Sequence, residues 1–322
     1  MKEHTTDVSL NVAFSKKNKK KQKILEDLFV ASIVIWPLLL FVVYWIGGNI
    51  TNIMLAFQEY NIEEQSFTFL PLNRIFTNFT RFFKEFSGTS GMGVMFGRSI
   101  LYWFITFVML IPHILVSFCI HKKVRGAGAF KIILFLPSVI SSVVWIMLYR
   151  IFVEYGLPVF LGWFGKKISI SLFMNSDTVF GTLVTYGIWL GFAGGLVLYT
   201  GAMSRIPPEL VEAGKMDGMN TWQEFWLITM PLIFPTVSIG MYTGIVGIFT
   251  SSPSTYTFFG GNAPSETYTF GYYFFVMVFG GQKTPVNFPY ASATSLIFTA
   301  FAAPTSLLLK HLCEKYGPNT EF

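Results

Sequence analysis

The chain has 322 residues, of which 52% are hydrophobic, 18% aromatic and only 12% charged, and its mean hydropathy is +0.54. Soluble domains carry about twice that share of charge, so the composition predicts an all-α integral membrane protein. It excludes a disordered chain, and with Cys119 and Cys313 as the only cysteines it excludes a disulfide scaffold. The net charge of +6 is spread over short loops, unlike that of a nucleic-acid-binding domain, and no nucleic-acid partner is expected.

Six charge-free apolar runs are long enough to cross a bilayer, because a spanning helix needs roughly 20 apolar residues. These runs cover residues 28–48, 99–120, 132–149, 178–200, 232–251 and 290–309. A seventh run at 270–281 is shorter and predicts a short helix, either at the outer interface or re-entering the membrane. The first run follows a long basic leader and lacks a small-residue cleavage site, so we expect it to remain as an anchor.

The positions of lysine and arginine predict that both termini are cytoplasmic, because positive residues in short loops stay on that side. The leader KKNKKKQK at 16–23 and the basic loop after the second run fix this orientation. The leader is interpreted as a topology determinant that also contacts membrane lipid, with partner docking as the alternative. The predicted organisation is given by these segments: a basic cytoplasmic segment 1–27, a first span 28–48, an outer loop 49–98, a five-helix core 99–312 containing a cytoplasmic loop 201–230, and a cytoplasmic tail 313–322.

The cytoplasmic loop between the fourth and fifth spans predicts a helical hairpin. Its sequence over residues 206–235 is IPPELVEAGKMDGMNTWQEFWLITMPLIFP. Prolines suit the start of the first helix, and Gly218 breaks it. Thr221 and Glu224 form a T-x-x-E capping box that opens a second helix, which is expected to end at Pro231. The result is a rigid element exposed to the cytoplasm.

The residues of this loop resemble a known motif. The order Glu-Ala-Gly-x-x-Asp-Gly at 212–218, followed by Ile228 and Pro231, is similar to the EAA motif of permease subunits of ATP-binding-cassette importers. The segments at 186–203, 260–269 and 290–298 also resemble maltose-type carbohydrate importers. The resemblance covers roughly residues 95–312 and implies the type I importer permease architecture with six transmembrane helices. Gly214 stands where the family usually has alanine.

This resemblance implies that the loop docks on a cytoplasmic ATPase, so we call residues 201–230 the coupling loop. It implies these roles: Glu212 contacts the ATPase, Ala213 and Gly214 permit close approach, Gly218 makes the turn, Asp217 braces it, and Pro231 completes the motif. The chain lacks a G-x-x-x-x-G-K loop, so we expect a transport subunit and not an enzyme. No catalytic residue, metal or cofactor of its own is expected; ATP and Mg²⁺ are expected on the ATPase subunits.

The predicted spans contain no Asp, Glu, Lys or Arg, which argues against a proton or sodium pathway and favours neutral, hydroxyl-rich cargo such as sugars. Candidate substrate-path residues, if they face the lumen, are Trp189, Tyr186, Gly191, Gly194, Ser141, Ser142 and Ser251. For each of them, contact with lipid or a neighbouring helix is the alternative. Glycines recur every four residues at 187, 191 and 195, a spacing that favours close helix packing, with an exposed-backbone substrate path as the alternative.

The sequence therefore predicts a permease subunit of an ATP-driven importer for sugars, with oligosaccharides as the expected cargo, in a bacterial cell (inner or cytoplasmic) membrane. The expected partners are a second permease subunit in a heterodimer, two cytoplasmic ATPase subunits and an extracellular solute-binding protein. One alternative is an ion- or proton-coupled secondary transporter, and another is an integral membrane transferase. The identity, length and charge of the sugar stay open, as does a homodimeric permease.

Overall fold

A computed structural model describes residues 3–88, 91–165, 171–252, 254–280 and 284–318. The ends of the two predicted terminal segments, residues 1–2 and 319–322, lie outside this range. Six helical stretches of the described chain are long and apolar enough to cross a membrane: Gln22–Ala56, Met92–His121, Ser142–Gly162, Val179–Met203, Thr221–Gly244 and Pro285–Tyr316. The predicted number of spans is thus confirmed, and the short apolar run forms a ten-residue helix, Phe270–Phe279.

The first span has few partners in this chain. It consists of α1 (Glu3–Leu40), a π-helical turn (Phe41–Ile46) and α2 (Gly47–Ala56). The large apolar side chains of α1 from Ile24 onward are exposed. Within the described residues, the main contact of this span with another one is made by α2, which packs along the last helix, α16 (Phe288–Tyr316). There Asn52 Nδ2 donates to Ser295 Oγ at 3.0 Å.

The predicted outer loop is folded. It contains an antiparallel hairpin of β1 (Gln58–Asn61) and β2 (Ser66–Phe69), in which Gln58 pairs with Phe69. It continues into the amphipathic helix α3 (Thr77–Ser87), which packs against α16. This outer segment therefore covers one end of the helical bundle.

The second and fourth spans pack side by side. The second is α4 (Met92–Val108) followed by α5 (Leu110–His121), and the fourth is α9 (Val179–Met203). Two glycines of α9 meet the second span closely: a Cβ added at Gly187 would lie 2.8 Å from the Tyr102 hydroxyl oxygen, and one at Gly195 would lie 2.8 Å from His113 Nδ1. The packing interpretation of the glycine spacing is correct at these two positions.

The third span departs from its prediction as one helix over 132–149. The chain forms α6 (Ala127–Val139), breaks at Ile140 and Ser141, and resumes as α7 (Ser142–Ile151), a π-helical turn (Phe152–Gly156) and α8 (Leu157–Gly162). The break falls in a run of β-branched and serine residues, which have low helix propensity. The membrane-length helix is therefore shifted along the chain, so Arg150 and Glu154 lie inside it and the spans are not free of charge.

The fifth span also begins earlier than predicted. The span consists of α11 (Thr221–Glu224), a π-helical turn (Phe225–Thr229) and α12 (Met230–Gly244). The coupling-loop helix α10 (Pro208–Met216) precedes it, and the short helices α13 (Gly247–Thr250) and α14 (Thr255–Phe259) follow it. From Thr221 to Gly244 the helix is continuous, so the predicted end at Pro231 is wrong. Proline has no N–H for the bond to the preceding turn, and the wider π turn directly before it accommodates that loss.

The short helix α15 (Phe270–Phe279) packs against four other helices, α4, α13, α14 and α16. Its Phe270 joins a buried cluster with Met92 of α4 and Tyr290 of α16. The Gly271 backbone lies directly on α13, because an added Cβ would stand 2.6 Å from the Thr250 carbonyl carbon. The helix is therefore held in the bundle rather than resting on its surface.

Candidate functional site

The coupling loop folds as a tight helical hairpin. Its first helix, α10, begins after Pro207 and ends at Met216. Gly218 has a φ of 79°, a left-handed conformation that favours glycine. Backbone bonds close the turn: Gly218 N donates to Lys215 O at 3.0 Å, and Met219 N donates to Gly214 O at 3.0 Å. The predicted glycine turn is therefore present.

Gly214 faces the interior of the hairpin. It is buried, and a Cβ added there would lie 3.0 Å from Met219 Cε and 3.2 Å from Ile228 Cδ1. Ala213 beside it is exposed. Both small residues were expected to permit close approach. Gly214 does so between the two helices of the loop, whereas Ala213 stays on the outside, where close approach of an ATPase stays a prediction.

The second helix is capped one residue earlier than predicted. Asn220 accepts a hydrogen bond from Gln223 N at 2.8 Å, and Gln223 Oε1 accepts one from Asn220 N at 2.9 Å. This reciprocal pair is a capping box. The predicted box of Thr221 and Glu224 is wrong, because Asn220 occupies the cap position and Glu224 is engaged elsewhere.

Glu224 forms a buried ion pair with the loop that follows the second span. Lys122 Nζ donates to Glu224 Oε2 at 2.7 Å and to Oε1 at 2.8 Å. The two side chains are 20% and 8% exposed. Sequence reasoning missed this pair, because it placed both residues in polar loops. The available signal was a glutamate directly before an apolar helical run and a lysine directly after another.

The outer face of α10 carries exposed acidic residues. Glu212 and Asp217 are both exposed, and Met216 between them is 88% exposed. Within the described residues Asp217 makes no side-chain hydrogen bond or ion pair, so its expected role as a brace of the turn is not realised in this chain. Glu212 and Met216, four residues apart, therefore share one exposed face of α10, and Asp217 follows at its end.

A cavity of about 470 Å³ lies between the second and fifth spans. Its walls mix aromatic, hydroxyl and glycine residues: Tyr102, Trp103, Thr106, Phe107, Leu110, Gly240, Thr243, Gly244, Val246, Gly247, Thr250 and Ser251. The buried indole Nε1 of Trp103 has no hydrogen-bond partner among the described residues. Thr243 Oγ1 donates to Ile239 O at 2.6 Å, which leaves the hydroxyl oxygen able to accept. The cavity thus offers an aromatic surface and several hydroxyl acceptors, whereas the Trp103 N–H itself is buried in the wall.

Only one predicted substrate-path residue, Ser251, lines this cavity. Trp189 lines a second and mostly apolar cavity of about 530 Å³, where its ring meets that of Trp145 edge-on at 4.7 Å. Tyr186 is fully buried in the cluster behind Trp189, so in this structure it faces no cavity, contrary to its prediction as a path residue.

The four remaining predicted path residues are exposed. Gly191 and Gly194 of α9 have nothing within 4 Å of an added Cβ, and Ser141 and Ser142 lie at the break in the third span. The structure does not bring these four together with Ser251. The sequence analysis did not single out Trp103 and Thr243 as cavity residues. The signal for the cavity was a row of small residues that leaves space beside the fifth span: Gly240, Thr243, Gly244 and Gly247.

Comparison with known proteins gives a consistent result. The family model described as "Binding-protein-dependent transport system inner membrane component" matches residues 89–316. The chain is 22% identical over 300 residues to the multiple sugar-binding transport system permease protein MsmF of Streptococcus mutans, covering 92% of this chain and 98% of that protein. It is 27% identical over 163 residues to the maltose/maltodextrin transport system permease protein MalF of Escherichia coli, covering 48% of this chain and 31% of MalF.

A solved structure shares the fold. A chain in the crystal structure of a bacterial alginate ABC transporter, in complex with an alginate pentasaccharide-bound periplasmic protein, superposes with a TM-score of 0.68. The match covers 91% of this chain and 96% of that one at 18% sequence identity. The importer-permease fold expected from the sequence is therefore confirmed.

Proposed function

This chain belongs to the family of binding-protein-dependent transport system inner membrane components, and from that membership we propose that it moves oligosaccharides across a bacterial inner membrane as one permease subunit of an ATP-driven importer. The observation that carries the proposal is the rigid coupling loop with its exposed Glu212, on a chain whose fold is that of an importer permease. The names of two relatives, a multiple sugar-binding system and a maltose/maltodextrin system, support sugar as the cargo.

The chemistry of the mixed cavity between the second and fifth spans supports the same cargo. Sugars present C–H faces that stack on aromatic rings and hydroxyls that donate and accept hydrogen bonds. Trp103 supplies a ring, and Thr243 and Ser251 supply hydroxyls. A volume of about 470 Å³ lies within the range of small-molecule sites. We propose that one or two sugar units at a time occupy this space, with Ser251 among the contacts.

The partners follow from the same mechanism. Two cytoplasmic ATPase subunits bind ATP and Mg²⁺, and one of them receives the outer face of α10, with Glu212 as the polar contact. A second permease subunit completes the pathway in a heterodimer, and the exposed α1 supports a partner beyond this chain. A solute-binding protein delivers the sugar, as the periplasmic protein in the alginate transporter complex suggests. Because six spans separate the termini, both lie on the coupling-loop side, in the cytoplasm.

The test is capture of the assembled complex from its native host after detergent extraction. Wild type is expected to bring down an ATPase and a second permease, identified by mass spectrometry. Glu212→Ala is expected to lose the ATPase or its coupling, whereas Glu209→Ala, an exposed glutamate of the same helix outside the motif, is expected to behave as wild type. A solitary wild-type chain, or a Glu212→Ala variant that transports normally, would overturn the proposal and favour a secondary transporter.

A further inference from the structure

We propose that the buried Lys122–Glu224 ion pair is a positioning element that makes the second span follow the movement of the coupling loop. This inference rests on the proposed function, since it assumes that an ATPase moves the loop. Neither residue belongs to the docking face of α10. Both act at the point where the loop becomes a membrane span.

The pair joins the ends of two antiparallel helices. Lys122 directly follows the last residue of α5, and Glu224 lies in the first turn of the continuous helix Thr221–Gly244. A cation at a helix C-terminus and an anion at a helix N-terminus are each in the favourable position for the helix dipole. Both Glu224 oxygens accept from the same Lys122 Nζ within 2.8 Å. The contact therefore fixes both helix ends in one register.

An aromatic contact beside the ion pair prevents rotation about it. Phe118 lies one helical turn before Lys122, on the same face of α5, and Phe225 directly follows Glu224. Their rings meet at a centroid distance of 5.0 Å. Both rings are buried in a cluster with Met203 of α9 and Ile233 of α12. Two adjacent contacts of different kinds thus connect the same two helices, as a rigid joint requires.

The two helices joined in this way are the ones that form the walls of the mixed cavity. The second span contributes Trp103 and Thr106 to one wall, and the fifth contributes Thr243 and Gly244 to the other. A displacement that begins at Glu212 passes through the packed hairpin to the second loop helix. From Glu224 the displacement is transmitted in two ways: directly along the fifth span, and through the ion pair with Lys122 to the second span. The pair therefore makes both cavity walls respond to one event at the ATPase.

The experiment compares two ion pairs in the complete complex with its ATPase, in lipid nanodiscs. Lys122→Met/Glu224→Met replaces both buried charges by apolar chains of similar length, which avoids a lone buried charge. Lys310→Met/Glu314→Met removes the exposed pair of α16, whose atoms are 3.7 Å apart, and serves as the matched control. Lys122→Arg keeps the charge. All variants carry Thr243→Cys as a cavity reporter, with Cys119→Ser and Cys313→Ser removing the native thiols.

The readout is the rate at which a water-soluble maleimide labels the reporter, without nucleotide and with ATP plus vanadate. We expect the nucleotide to change this rate about fivefold or more in the parent, the control pair and Lys122→Arg. In Lys122→Met/Glu224→Met we expect a change below about twofold, with the ATPase still co-purifying and hydrolysing ATP. A merely structural role would lower the yield of complex without altering this ratio.

Two results would overturn the inference. One is a parent-like nucleotide response in Lys122→Met/Glu224→Met. The other is loss of the ATPase from that variant alone, which would make the pair a determinant of docking and not of coupling. Failure of the parent itself to bind an ATPase would instead contradict the proposed function, so the two failures are distinguishable.

Discussion

The two neighbouring glycines Gly191 and Gly195 of α9 give a sharp test of how this helix packs. The same Gly→Ala substitution adds one methyl group at each position, on the same helix and one turn apart. At Gly195 the new carbon would lie 2.8 Å from His113 Nδ1 and 3.0 Å from His113 Cγ, and the His113 ring is itself held against Phe192 at 4.4 Å. At Gly191 nothing lies within 4 Å.

The expected effects have opposite signs. Alanine gains roughly 1 kcal/mol over glycine in helix propensity, and at Gly191 nothing in this chain opposes that gain. At Gly195 the imidazole cannot withdraw without displacing Phe192, and overpacking of this kind destabilises by about 1–3 kcal/mol. We therefore expect Gly191→Ala to raise the free energy of unfolding by up to about 1 kcal/mol and Gly195→Ala to lower it by up to about 2 kcal/mol.

The measurement is the unfolding of the two purified variants in mixed detergent and SDS micelles, followed by tryptophan fluorescence. Gly93→Ala in α4, where an added Cβ also meets nothing within 4 Å, is a second unhindered control. Equal stabilities for Gly191→Ala and Gly195→Ala would refute the reasoning, because the close approach of α9 to His113 would then have no effect on the free energy of unfolding.

Further substitutions test the loop and the outer end of the bundle. Asn220→Ala is expected to remove the capping box, at a cost of about 1 kcal/mol, and to speed amide hydrogen exchange in α11, whereas Thr221→Ala leaves that exchange unchanged. Gly271→Ala is expected to displace α15 from the Thr250 backbone and to raise the protease sensitivity of the intact detergent-solubilised chain. Gly214→Ala is expected to be tolerated, because the tips of flexible side chains can yield, and to leave ATPase capture within about twofold of wild type.

The amino-acid sequence determined the spans because hydrophobic length is a local property. A run of about 20 apolar residues has few alternatives to a membrane helix, and all six predicted runs correspond to membrane-length helices. The third was displaced because apolarity does not distinguish a continuous helix from one broken by a β-branched stretch. The predicted third run ends directly before Arg150, yet Arg150 Nη2 donates to Phe258 O at 2.9 Å within the packed chain.

The site was predicted less completely, for a different reason. Gly218 could be identified from the sequence because a turn with a positive φ favours glycine at that one position, whichever helices later become neighbours. The inward orientation of Gly214, the burial of Tyr186 and the contact of Lys122 with Glu224 depend on which helices become neighbours, and that pairing is not a local property. The cap was predicted at Thr221, whereas the structure has it at Asn220, where Gln223 completes the capping box. The motif therefore located the coupling loop in the sequence, whereas the orientation and contacts of its side chains depended on tertiary packing.

The contact between α2 and α16 has a consequence for biogenesis. Asn52 and Ser295 are 243 residues apart, and a chain made from its N-terminus produces the second of them near the end of synthesis. Among the described residues, the span that the first one packs along most extensively is therefore the last to be inserted. During that interval lipid or another polypeptide must shelter its apolar surface. Closure of the bundle is consequently a late step, and truncation before α16 would leave the first helix as a loose anchor.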